Sequence, residues 1–79
     1  MKLSARPIKL ESIILSAVKN RKIITINLEE ASEYDIKAAN QLKVGNYEKA
    51  AYYAILSQEH IRLASEAKIK DLELHALYN

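Results

Sequence analysis

The sequence has no cysteine, no tryptophan and no phenylalanine, and only one glycine and one proline in 79 residues. Without cysteine there are no disulfides and no thiolate metal sites, and His60 and His75 alone cannot complete a zinc site. A single glycine excludes a glycine-rich phosphate loop, and neither an acid-rich metal loop nor a Ser/His/Asp arrangement of recognisable spacing is present. No catalytic, cofactor-binding or metal-ligating residue is therefore assigned, and the chain is read as a non-enzyme. No uninterrupted apolar run approaches the ~20 residues of a membrane span. The opening MKLSARPIKLESIILSAV is broken by Glu11 and followed by no small-residue cleavage site, so it is not read as a signal peptide. The expectation is a cytoplasmic protein with no membrane contact. Nor is there an excess of one charge: 12 basic against 10 acidic residues give +2, a weak electrostatic case for nucleic acid.

What is present is helical punctuation. Pro7 suits a first turn, and Leu10, Ile13, Ile14, Ala17 and Val18 recur at helical spacing, which gives a first element at 8–19. The β-branched runs IILSAV and KIITI allow a strand there instead, and RKIITI, residues 21–26, reads as extended. Asn27 followed by Glu30 resembles a capping box and opens a helix at 28–44 with a stripe of Leu28, Ala31, Tyr34, Ala38, Ala39 and Leu42. Asp35 sits within that stripe, where it could meet Gln58 or a basic group across a hairpin. Gly45 then stands where a helix end wants a left-handed residue, and Asn46 where the next helix wants an N-cap. A turn so short makes antiparallel neighbours. From Tyr47 to Leu77 nothing breaks the helical pattern. The fold expected is all-α: one domain over 1–79, a small three-helix bundle containing an antiparallel hairpin and a long C-terminal helix.

Projection of the last helix at 100° per residue gives two apolar sides. One is mostly small (Tyr47, Ala50, Ala51, Ala54, Gln58, Ile61, Ser65, Ile69, Leu72, Ala76) and is expected to pack on the alanines of the helix before it. The other holds Tyr53, Leu56, His60, Leu63, Ala64, Ala67, Leu74 and Tyr78. A polar strip of Glu48, Glu59, Arg62, Glu66, Lys70 and Glu73 is spaced for Arg62–Glu66 and Glu66–Lys70 pairs. A chain of this size buries only about 60% of its unfolded surface, and the last helix outruns its neighbour. A homo-oligomer, most simply a dimer, is therefore expected on the second side and the C-terminal overhang: Tyr53, Leu56, His60, Leu63, Ile69, Leu72, Leu74, Leu77 and Tyr78. Tyr52 and Tyr53, being consecutive, cannot both face one neighbour.

The segment YDIKAANQLKVGNYEKAAYYAILSQEHIRLASEA, residues 34–67, resembles the helical hairpin of HEPN domains, and its Gly-Asn-Tyr-Glu-Lys-Ala turn is also similar to tetratricopeptide and microtubule-interacting-and-transport hairpins. The HEPN resemblance covers under half the chain. It implies an all-α, often dimeric protein associated with toxin–antitoxin pairs, defence systems or RNA cleavage. Catalytic members carry an arginine followed after four to six residues by a histidine, and Arg6, Arg21 and Arg62 have no histidine at that distance. The resemblance thus transfers no active site and implies a protein-interaction module or small regulatory subunit. RKIITINLEEASEYDIKAANQLKVGNYEKAAYYAIL also looks like a ribbon-helix-helix DNA-binding regulator or antitoxin, which would put Arg21, Lys22 and Thr25 near DNA.

Overall fold

The computed structural model describes residues 2–78, with side chains over 10–77. It contains two helices: α1, Lys2–Lys43, and α2, Tyr47–Tyr78. They fold back on each other as an antiparallel hairpin 67 Å long and 14 by 13 Å across.

The expected turn forms. Gly45 takes a φ of 77°; its N–H donates to the Leu42 carbonyl at 3.0 Å, and the Asn46 N–H donates to the Gln41 carbonyl at 2.9 Å. Those two bonds are a Schellman closure of α1. The Asn46 carbonyl accepts from the Ala50 N–H at 3.0 Å, which starts α2 at once. Nothing lies within 4 Å of where a Cβ on Gly45 would sit, so the glycine is required by its backbone angle alone. Gly45→Val should therefore cost about 1–2 kcal/mol, read as a lower midpoint in urea; an unchanged midpoint would remove this account of the turn.

The three-helix bundle is corrected to two helices. Residues 21–26 are neither a strand nor a linker but the middle of α1, which runs unbroken for 42 residues. The stretch holds no glycine or proline, and β-branched residues cost well under ~1 kcal/mol each in a helix, so packing along α2 decides its conformation. Asn27 consequently caps nothing. Its Nδ2 donates to the Ile23 carbonyl at 2.9 Å and its Oδ1 accepts from His60 Nδ1 at 2.7 Å.

Along α1, the half-buried or buried residues Ile13, Ala17, Asn20, Ile24, Asn27, Ala31, Tyr34, Ala38 and Gln41 are spaced alternately four and three apart. On α2 the matching set is Ala50, Tyr53, Ser57, His60, Ala64, Ala67, Asp71 and Leu74, alternately three and four apart. This is a coiled-coil seam built from small and polar side chains. The cross-helix contacts of Asn27 with His60 and of Tyr34 with Tyr53 and His60 set its register. Extended along the hairpin, that register places each bulky side chain level with a small one: Tyr53 with Ala38, Tyr34 with Ser57, His60 with Ala31 and Leu74 with Ala17.

The two faces of α2 are thereby reassigned. Of the small side expected to pack on the preceding helix, only Ala50 is buried, and the second side supplies the seam instead. On α1, Ala31 is buried as expected, whereas Leu28, Ala39 and Leu42 are exposed, and so is Asp35. The buried apolar core among the described residues is Ala31, Ala50, Ala64 and Ala67, with no large side chain fully enclosed. Burying an alanine methyl contributes far less than the ~1.5–3 kcal/mol of a leucine or isoleucine. The hairpin by itself holds its largest apolar groups outside.

Candidate functional site

Three arrangements could carry function. The first is the seam cluster around His60. The His60 ring lies 5.6 Å from the Tyr34 ring at 15°, Tyr34 lies 6.0 Å from Tyr53 at 23°, and Lys37 Nζ sits 5.4 Å and 5.8 Å from the two tyrosine centroids. The histidine is pinned by Asn27 and stacked, a packing role that fixes the seam's register. Tyr52 turns outward against Tyr53, with centroids 5.7 Å apart, as two consecutive positions require.

The second is a charged cluster toward the open end of the hairpin. Asp71 is buried at 6% exposure, its Oδ2 is 3.5 Å from Arg21 Nε and 3.8 Å from His75 Nε2, and its Oδ1 has no hydrogen-bond partner. Arg21 Nη2 also donates to His75 Nε2 at 3.0 Å, so the imidazole accepts there and carries its proton on Nδ1. The Asp71–His75 spacing was legible in the sequence, but Arg21 was not, because it lies 54 residues from His75. Beside this cluster Ile13, Ile14, Ala17, Val18 and Leu74 join Arg21 and His75 around an open, mainly apolar pocket of about 270 Å³.

The third is a surface. In each helix the positions one step round from the seam on the Arg21–His75 side form a continuous stripe, and the Arg21–His75 bond places the two stripes on one face of the hairpin. Ile14, Val18, Leu28 and Leu42 from α1 and Tyr47, Ile61 and Leu72 from α2 stand on it, each 37–71% exposed. Its charged groups are Arg21, Asp35 and Lys68. The outer edge of α2 carries the polar strip, where Arg62 pairs with Glu66 as expected and also with Glu59, while Glu66 and Lys70, both among the described residues, make no ion pair. The hydrogen bond from Arg62 holds the Glu59 carboxyl below its ordinary value, and the same bond raises the Arg62 guanidinium.

Among the residues expected at an oligomer interface, Tyr53, His60 and Leu74 lie in the seam against α1, Leu56 and Leu63 are half-buried beside it, and Ile69, Leu72 and Leu77 are exposed. The Tyr78 side chain lies outside the described residues. Arg21 and Thr25 stand one turn apart on the same face of α1, with Lys22 about 100° round from Arg21; Arg21 is engaged by Asp71 and His75, and the Thr25 hydroxyl donates to the Arg21 carbonyl at 3.0 Å. With 21–26 helical, the paired strand on which the ribbon-helix-helix reading depends does not form. Among the described residues there is no cluster of three or more His, Cys, Asp or Glu side chains placed to hold a metal, and no helix long and apolar enough to cross a membrane. The chain matches no family model, no curated protein and no solved structure.

Proposed function

We propose that this chain is a non-catalytic helical interaction module, a small cytoplasmic regulatory or adaptor subunit whose working surface is the apolar face carrying Leu28, Leu42, Tyr47, Ile61 and Leu72. The observation behind the reading is the inversion of the usual burial pattern: alanines fill the seam, while seven of the exposed large apolar side chains line one outer face with only Arg21, Asp35 and Lys68 charged among them. Isolated exposed leucines are ordinary, but a continuous face of them marks an association surface. A HEPN-like hairpin lacking the arginine–histidine spacing fits the same reading, as a relative by resemblance that binds without cleaving.

Carbene footprinting of the tagged protein in extract of its own cells tests this. Leu42, Tyr47 and Leu72 should be protected, while Ile55, equally apolar but on the outer edge of α2, is labelled. Equal labelling of both sides would remove the reading. The non-catalytic part has its own measurement: pure protein should leave RNA intact, and turnover abolished in His60→Ala would overturn it.

A further inference from the structure

This inference rests on the apolar face being an association surface, and it names the occupant. The α1 stripe on that face is symmetric about Leu28. Ile14 and Leu42 stand two heptads either side of it, Arg21 and Asp35 one heptad either side, and Val18 and Ala39 in between. Thr25 and Ser32 flank the centre. Read in either direction, the stripe is apolar, charged, hydroxyl, leucine, hydroxyl, charged, apolar, and the two charges are opposite. A second copy laid antiparallel on the first about Leu28 therefore meets apolar groups with apolar groups and Arg21 with Asp35.

The α2 stripe is less regular: about Ile61, Gln58 stands opposite Ser65, Ala51 opposite Leu72 and Tyr47 opposite His75, while Lys68 stands opposite Ala54 with no counter-charge on that helix. In the register given above Leu28 lies level with Leu63, so Ile61 stands about 3 Å along the hairpin from it. One two-fold axis, lying between the copies and perpendicular to the helices, thus serves both stripes. We infer that the partner of this face is a second copy of the chain, and that the assembly is an antiparallel four-helix bundle in which α1 packs on α1 and α2 on α2.

Two further features agree. Lys68, one turn before Asp71 and so near the level of Arg21, stands diagonally across from the same Asp35 of the second copy. The open pocket lined by Ile14, Val18 and His75 lies as far from the axis as Leu42 and Tyr47 do on its other side, so those two side chains of the second copy seat on it. A face running from Ile14 to Leu42 is about 42 Å long and, with helices ~9 Å apart, about 18 Å wide, so the pair buries roughly 1,500 Å², the size of a specific interface.

The absence of native cysteine makes the test clean. Under mild oxidation Leu28→Cys and, separately, Ile61→Cys should each form disulfide-linked dimers. Ile14→Cys alone should not, since its two copies would sit about 42 Å apart at 1.5 Å per residue, whereas an equimolar mixture of Ile14→Cys with Leu42→Cys should. Light scattering on the unmodified protein should give twice 9.0 kDa. A monomer at hundreds of micromolar overturns the self-partner, and if footprinting still protects the face in extract, the association surface stands with a different protein on it. A dimer in which Ile14→Cys cross-links to itself, or in which Leu28→Cys does not, overturns the antiparallel arrangement.

Discussion

Arg21→Ala should lower the stability of the folded protein by about 3 kcal/mol, while Asp71→Ala leaves it unchanged or raises it. The asymmetry follows from where the two charges lie. The Asp71 side chain is 8% exposed and the Arg21 side chain 57%, so the carboxylate has lost its water and the guanidinium has kept most of it. Removing Arg21 strands a buried anion whose Oδ1 already lacks a hydrogen-bond partner, and such a group costs several kcal/mol. Removing Asp71 merely leaves the arginine to water or, in the paired bundle, to Asp35 of the second copy. The loss is placed at the low end because, with Arg21 gone, the His75 ring is free to carry its proton on Nε2, 3.8 Å from Oδ2. Urea denaturation of the two single variants and of Arg21→Ala/Asp71→Ala measures it, with the double variant expected to recover most of what Arg21→Ala loses. If the double variant stays as weak as Arg21→Ala, the arginine acts elsewhere and the buried-charge account is wrong.

The turn was legible because its signal is local: a left-handed position and an N-cap in consecutive residues, Gly45 and Asn46, admit few other structures. The long α1 was hidden by signals that are equally local but overruled. Asn27 with Glu30 has the spacing of a cap, and IITI has β-branched composition; only the presence of α2 alongside turns Asn27 inward to His60 and makes the run helical. The faces of α2 were exchanged for a different reason. Hydrophobicity picks out Ile61, Ile69 and Leu72 as core, yet the side that α1 covers holds Ser57, His60 and Asp71. Strict alternation of three- and four-residue steps, from Ala50 to Leu74 and again from Ile13 to Gln41, was the signal that could have found the seam. It is readable only when small and polar residues are counted as seam formers.

That seam chemistry gives the second large effect: Ala64→Leu, a substitution that strengthens an ordinary leucine-rich coiled coil, should weaken this one by about 2–3 kcal/mol. Ala64 is 4% exposed and level with Asn27, in a seam where each bulky group already faces a small one. A leucine there has no small counterpart beyond Asn27, so the helices must part or the side chain must leave its rotamer. Parting the helices stretches the 2.7 Å Asn27–His60 bond and separates the Tyr34 and His60 rings. Either response costs more than the added methyl groups return by burial, about 0.8 kcal/mol per carbon. The matched control is Ala76→Leu, at an exposed position of α2 outside the seam, which should leave the melting temperature where it is. For a chain of this size the expected loss corresponds to a fall of about 10 °C or more, read by far-UV circular dichroism. A melting temperature that rises in Ala64→Leu would mean that the helices have room between them, and the close-packed alanine seam would have to be given up.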